Sequence, residues 1–328
     1  MPGRLSPVDY STPLGLAAGY LADRVLADPG RYHPVAGFGQ VATRAEQALW
    51  ADDRARGAVF TAVLVAGAAG LGASARAVQR RPWQRTLLTA AATWVVLGGR
   101  SLEKEGETMH ALLMQADGGD LTPARQRLSH LCSRDASALD TGDLARATVE
   151  SLAENTSDAV TAPLFWGAVA GVPGLLAYRA ANTLDAMVGY RSARYENFGW
   201  ASARLDDILN YLPARVNALL TVGVAPFVGG SARDAWRAWR RDAGRHPSPN
   251  AGPVEASAAG ALGVRLGGTN SYEGEAESRG TLGDGPPPGV GDIPRAVRLT
   301  RLVGAKSLAV AVALSLVIGA IRARVSAR

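Results

Sequence analysis

Glu150, Glu154 and Asp158 recur every four residues in the string ESLAENTSDAVTAPLF, a spacing that sets three carboxylates on one face of a helix. Stacked carboxylates repel one another unless a cation joins them. The row therefore suits magnesium with phosphate, or else it is the solvated end of a helix. The segment Asn155 to Asp158 also contains Asp and Ser, residue types that cap a following helix. A second set lies downstream, where Asn182 and Asp185 stand three apart and Asp206, Asp207 and Asn210 repeat the arrangement in RLDDILNYLPAR. Acid and amide oxygens at helical spacing are the ligands a hard cation with several retained waters prefers. Arg179, Arg191, Arg194, Arg204 and Arg215 alternate with these acids. They either neutralise the acids or hold phosphate and carboxylate groups bidentately.

His33 in HPV and His246 in HPSPNAG each precede a proline, which biases both toward extended backbone outside a helix. His110 and His130 have no comparable setting, and no HExxH pattern exists. The aromatics Tyr190, Tyr195, Phe198 and Trp200 fall between the polar clusters, as an interfacial belt or as a platform for a flat ligand. GAKS at Gly304 to Ser307 lacks the glycines of a P-loop. The glycine-rich GALGVRLGG from Gly260 to Gly268 is either a backbone cradle for an anion or a helix-packing surface.

The elements that must position these groups are mostly apolar. The 328 residues are 47% hydrophobic and carry a formal net charge of +6, almost all of the basic residues being arginine because Lys104 and Lys306 are the only lysines. A mean hydropathy of +0.02 suggests membrane helices separated by substantial polar segments. No basic stripe with interleaved aromatics is present, so nucleic acid is not expected as a partner. The single cysteine, Cys132, excludes an intramolecular disulfide and a cysteine-rich metal cluster. The short apolar run from Leu14 to Ala22 reads as retained rather than as a cleaved signal. Gly57 to Ala75 is uncharged and long enough to span a bilayer, and Leu302 to Ile321 forms a second span with Lys306 placed to snorkel. Thr86 to Gly99, Ala159 to Tyr178 with Pro163 and Pro173, and Val216 to Gly230 with Pro226 are each a span, a re-entrant helix or a buried helix. The expected fold class is all-α, a polytopic integral membrane helical protein with substantial polar helical loops, organised as one membrane-embedded domain over residues 1–328.

Taken in order, several strings resemble the CobD/CbiB family of adenosylcobinamide-phosphate synthases. They are Asp28-Pro29 with His33-Pro34-Val35, then ESLAENTSDAVTAPLF, then AYRAANTLDAMVGYRSARYENFGWASARLDDILNYLPAR from Ala177 to Arg215, then HPSPNAG, EASAAGALGVRLGG and Tyr272-Glu273-Gly274. The resemblance implies a multi-pass protein of the cytoplasmic (inner) cell membrane in cobalamin biosynthesis. Its reaction would join (R)-1-aminopropan-2-ol or its O-phosphate to a propionate of adenosylcobyric acid, with ATP and magnesium as cofactors and the corrinoid as substrate. A carboxylate is a poor acyl donor until its oxygen becomes a leaving group, so transient phosphorylation is the expected route. Under this resemblance Glu154, Asp158, Asp185, Asp206 and Asp207, with Asn155, Asn182 and Asn210, are the magnesium and phosphate candidates. Arg179, Arg204 and Arg215 would hold phosphate or the corrinoid carboxylate, His33 and His246 are the base candidates, and Glu154 and Asp207 also stand among the catalytic candidates. The lipid bilayer and later-step cobalamin enzymes at the membrane are expected partners. Two other classes remain open: a magnesium-dependent membrane transferase acting on prenyl or lipid diphosphates, and a non-catalytic membrane regulator.

Overall fold

The computed structural model describes residues 9–29, 33–116, 119–132, 134–190, 192–272 and 275–326, with the backbone alone for 269–272, 275–278 and 326. Arg191, Glu273, Gly274 and Arg328 lie outside the described residues. Twelve α-helices are described: α1 (Ser11–Leu26), α2 (Pro34–Leu49), α3 (Arg54–Ala77), α4 (Pro82–Val96), α5 (Gly99–Ala116), α6 (Thr122–Leu128), α7 (Thr141–Thr156), α8 (Ala162–Val188), α9 (Trp200–Val224), α10 (Ala232–Asp242), α11 (Ala251–Leu262) and α12 (Ile293–Ser326). One antiparallel hairpin, β1 (Leu266–Tyr272) with β2 (Glu275–Leu282), joins α11 to α12. Four helical stretches, Arg54–Ala77, Thr141–Val188, Trp200–Val228 and Val290–Val325, are long and apolar enough to cross a membrane. Exposed Val59, Val63 and Leu71 on α3 and exposed Val310, Val317 and Ile321 on α12 give these helices an outward apolar surface. The chain is an all-α polytopic membrane protein.

Two compact units divide the chain. Unit 1 comprises residues 1–98, 162–209 and 307–328. Its helices meet through glycine, as helices do in lipid, where backbones must approach closely to gain contact. Gly15 and Gly19 of α1, four apart, lie against Thr89 and Thr93 of α4, and neither glycine has room for a Cβ. Gly57 of α3 is pressed in the same way onto the backbone carbonyl of Phe198. Phe60 and Phe198, their rings 5.0 Å apart, close a core with Ala42, Leu184 and Val188. Within α8 the helix breaks at Gly171, whose φ of 66° and ψ of −146° are not helical, two residues before Pro173. Beyond the break the chain turns back sharply: Leu175 packs on Gly167, and Gly174 abuts the carbonyl of Trp166. This reversal falls within Ala159 to Tyr178, the stretch that the sequence allows as a span, a re-entrant helix or a buried helix.

Unit 2 comprises residues 99–161 and 210–306. Its core gathers Leu102, Met109, Leu128, Leu144, Leu152, Leu262 and Ile293 from α5, α6, α7, α11 and α12. Glu103 on α5, only 2% exposed, accepts hydrogen bonds from Arg301 Nε at 3.1 Å and Nη2 at 3.0 Å. Buried hydroxyls and amides tie further helices together: Thr156 Oγ1 donates to Thr300 Oγ1 at 2.9 Å, and Asn217 Nδ2 donates to Thr161 Oγ1 at 2.9 Å. At the end of α7 the chain does not stop and restart with a cap. Residues Ser157–Thr161 form a π-helical turn that runs straight into the following helix. The widened turn interrupts the four-residue row, so Asp158 departs from the face that Glu150 and Glu154 share.

The exposed apolar helix faces have no soluble alternative. The protein is expected to stay in the membrane pellet through an alkaline carbonate wash and to need detergent for extraction, checked by immunoblot of the fractions. Release as a monodisperse soluble species would refute the membrane assignment.

Candidate functional site

The deepest polar cluster belongs to unit 2 and is built from α11 outward. All twelve residues of α11, AGPVEASAAGAL, are buried, and Glu255 is the single charged residue among them. Ser248 starts this helix, its Oγ accepting the backbone N–H groups of Asn250 at 3.3 Å and Ala251 at 3.1 Å. Glu255 is 0% exposed, and neither carboxyl oxygen has a hydrogen-bond partner. Ionisable groups are almost never sealed in this way unless something compensates them. Burial first, then repulsion from Glu154 and Glu150, pushes its pKa well above the ordinary value, against the smaller opposing pull of Arg279 and Arg134.

His246 faces it. The ring Nδ1 accepts the backbone N–H of Ser248 at 3.0 Å, so the imidazole proton resides on Nε2, which approaches Glu255 Oε1 at 3.6 Å. This is not an ion pair. Burial, helped by the positive charge of Arg279, lowers the imidazole pKa to about 4, so the ring is neutral at neutral pH. A low pKa makes His246 a weak base, and its Nε2–H has no hydrogen-bond acceptor. Around this pair Arg134 Nη2 donates to Glu150 Oε2 at 2.7 Å with both side chains 3% exposed, and the Gly267 N–H donates to Glu150 Oε1 at 2.8 Å. The glycine-rich segment thus does both things its sequence allows: Gly267 donates one backbone N–H to a carboxylate of the protein itself, and Gly260 packs closely against Asp234 and Ala235. Arg279 stands 3.9 Å from Glu255.

The sequence-predicted residues fall into separate groups. In unit 2, Glu154 and Glu150 lie close enough to Glu255 to act on its charge. Asn155 instead turns its amide to the Ser151 carbonyl at 2.9 Å and hydroxyl at 3.0 Å. Asn210 is buried on α9, and Arg215 donates to Asn250 Oδ1 at 2.9 Å while stacking 3.6 Å over the Tyr211 ring. In unit 1, Arg179 Nη1 donates to Asn182 Oδ1 at 3.3 Å and Asn182 Nδ2 donates to Asp206 Oδ1 at 3.3 Å, a chain of guanidinium, amide and carboxylate linking α8 to α9. Arg204 and Asp207 approach at 3.9 Å, both with exposed or half-exposed side chains, and Asp185 folds over Gly189 at the end of α8. His33 caps α2, its Nδ1 accepting the Val35 N–H at 3.2 Å while Nε2 faces Asp28 at 3.9 Å. Of the four aromatics, Phe198 is core, whereas Tyr190 and Trp200 are exposed and Tyr195 donates its hydroxyl to Glu46 at 2.9 Å.

Glu255, Arg134, Arg279 and Asn250 were not legible as site residues. For Glu255 a signal existed: it is the lone charge in a stretch otherwise made of Ala, Gly, Ser, Pro, Val and Leu. Among the described residues, no group of three or more His, Cys, Asp and Glu stands close enough to hold a metal ion by itself.

A family model described as CobD/Cbib protein matches residues 16–300. A cobalamin biosynthesis protein CobD of Mycobacterium tuberculosis is 52% identical over 301 residues, covering 92% of this chain and 95% of that protein. One from Chromobacterium violaceum is 44% identical over 94% of this chain and 99% of its own length, and one from Geobacter metallireducens is 43% identical over 80% and 84%. No solved structure matches.

The two opposite pKa shifts make stability depend on pH in two opposed ways. Glu255, with its pKa raised in the fold, contributes stability that is full below its ordinary value of 4.5 and is lost as pH rises through the folded value. His246, lowered from 6.5 to about 4, contributes stability that is full above 6.5 and is lost as pH falls toward 4. Glu255→Gln keeps the shape and removes the first dependence. Its thermal midpoint in detergent, compared with the parent at about pH 5 and about pH 8, is expected to gain on the parent at the higher pH, with a limiting slope of about 1.4 kcal/mol per pH unit. A difference that does not change with pH would show Glu255 ionised in the fold.

Proposed function

The chain belongs to the CobD/Cbib family, and on that premise we propose that it acts in cobalamin biosynthesis as an amide-forming ligase. Its substrates are adenosylcobyric acid and (R)-1-aminopropan-2-ol or its O-phosphate, its energy source is ATP, and its place is the inner cell membrane, where later cobalamin enzymes can receive the product. One observation carries this reading. The family match spans residues 16–300, and two of the motif strings within it, HPSPNAG and EASAAGALGVRLGG, meet at the buried side chains of His246 and Glu255, whose facing polar atoms have no hydrogen-bond partner. Unsatisfied buried polar groups mark sites kept for chemistry rather than for stability.

Magnesium fits the unit 1 set, because this ion binds through one or two carboxylates with substrate phosphates and retained waters instead of an all-protein cage. Asp206 with Asn182 would hold it, Asp185 and Asp207 would stand by, and Arg179 supplies a guanidinium beside the same amide. ATP with this ion, when bound, supplies the activation that makes a carboxylate oxygen a leaving group. Within unit 2, the Nε2–H of His246 is a buried donor without a hydrogen-bond acceptor, facing the Glu255 carboxyl group. Arg215 and Asn250, joined at 2.9 Å, offer a further polar edge for a propionate or phosphate.

Detergent-purified protein supplied with adenosylcobyric acid, ATP, magnesium and either amine is expected to yield adenosylcobinamide or its phosphate by mass analysis. Failure with both amines in a folded preparation, together with cobinamide formation in a strain lacking the gene, would favour the regulator class. Asp206→Asn and Asp207→Asn, made separately, should each lower turnover by orders of magnitude. Asp207 pairs with an exposed Arg204 at 3.9 Å, an interaction worth little to the fold, so folded yield should hold. Near-normal turnover in both variants would remove these residues from the site.

A further inference from the structure

We propose that the outer face of α10 seats on the headgroups of anionic phospholipid. The helix, ARDAWRAWRRD, has two distinct faces. Inward, Ala235 and Ala238 are buried, and Gly260 of α11 lies so close to Asp234 and Ala235 that it has no room for a Cβ. Outward, Arg233, Trp236, Arg237, Arg240 and Arg241 are exposed, and Asp234 is the single acid among them. Asp242 fixes the rotation of the helix from below: it is 0% exposed, receives two hydrogen bonds of 2.7 Å from Arg241, and accepts the Gly283 N–H at 2.9 Å.

Charge assigns the occupant. Arg241 is committed to Asp242 and, at 2.8 Å, to Asp284, and Arg237 leans on Asp234 at 3.4 Å. Arg233 and Arg240 form no ion pair among the described residues, and Arg240 lies over the Trp236 ring at 5.9 Å. A face of guanidinium groups around a half-exposed indole is complementary to a layer that is anionic outside and apolar within. Place assigns it a second time. Only three residues lie between the end of the membrane-length stretch Trp200–Val228 and Ala232, so at most about 14 Å of chain separates them. The start of α10 is thereby kept at the headgroup layer, beside Phe227, which exposes 60% of its surface at the end of that stretch. Trp236 is 46% exposed, in the position where an indole is favoured, its ring among the chains and its N–H toward water. Phosphodiester oxygens would be held by Arg233, Arg237 and Arg240.

The test uses the full chain, which has seven tryptophans, reconstituted into vesicles of phosphatidylcholine alone or in equal parts with phosphatidylglycerol. Acyl chains are brominated near the headgroup on one lipid at a time. The quenching that disappears in Trp236→Phe belongs to Trp236. It is expected to be stronger with brominated phosphatidylglycerol than with brominated phosphatidylcholine, and to weaken with added salt. Because one arginine near an anionic surface changes partitioning about fivefold, the combined Arg233→Gln, Arg237→Gln and Arg240→Gln variant should lose at least that much of the preference. Equal quenching by the two lipids would overturn headgroup recognition. A Trp236 quenched by acrylamide in the buffer and indifferent to both lipids would place the face in water or on a soluble partner, and would equally overturn the proposal. Should the combined variant misfold, the salt dependence and the Trp236→Phe difference decide the matter alone.

Discussion

Glu150 is the fixed negative charge around which unit 2 is arranged. It lies on α7, and two separate parts of the chain come to it, Arg134 from the segment before the helix at 2.7 Å and the Gly267 N–H from the hairpin at 2.8 Å, while Arg146 of the same helix stands one turn earlier at 3.9 Å. A carboxylate so deeply buried is tolerable only while these donors remain, since removing one partner of a buried pair strands the other. That demand engages Arg134. Burial first, and then the nearness of Glu154 and Glu150, disfavours a further negative charge on Glu255 and pushes its pKa up. The neutrality of His246 is then natural, because burial and the positive charge of Arg279 both oppose an imidazolium.

The broad architecture could be read from the sequence because it follows from local composition. Long apolar runs are expected to become membrane helices, and those at Gly57 to Ala75, without a charge, and Leu302 to Ile321, with Lys306 alone, fall inside the membrane-length helices α3 and α12. The prolines after His33 and His246 gave both residues extended backbone, as expected from the steric demand of the ring. The polar pairing was only half legible. Asn182 and Asp206 do meet, but the row from Glu150 to Asp158 is broken by a π-turn, for which helical spacing holds no sign. Glu255 was overlooked because periodicity reports faces, and a helix buried on every side has none. Arg134 and Arg279 gain their meaning only from tertiary partners far along the chain.

Glycine serves this protein in a way that soluble proteins seldom require. At Gly15, Gly19, Gly57 and Gly72 the neighbouring chain occupies the place of a side chain, so these helices meet by backbone contact. Between membrane helices, where exclusion of water provides no drive, close contact over many atoms is what remains to hold them. At Gly171 the same residue does something different, adopting a left-handed φ that lets α8 reverse before Pro173. The carbonyl and amide groups released there must find partners within the protein, which is why such a break belongs at a site screened from lipid.

His33 and His246 share a local design. Each ring sits before a proline, each Nδ1 is held by the backbone N–H two residues on, and each Nε2 is turned toward a carboxyl group, that of Asp28 in one case and of Glu255 in the other. The amide fixes the tautomer and stops the side chain from sampling its other rotamers, while the proline ring stiffens the turn that supplies that amide. A ligand arriving at such an imidazole meets a ring whose rotational entropy was given up when the chain folded. The contact can therefore be selective without being strong, because little ordering remains to be done at the moment of association.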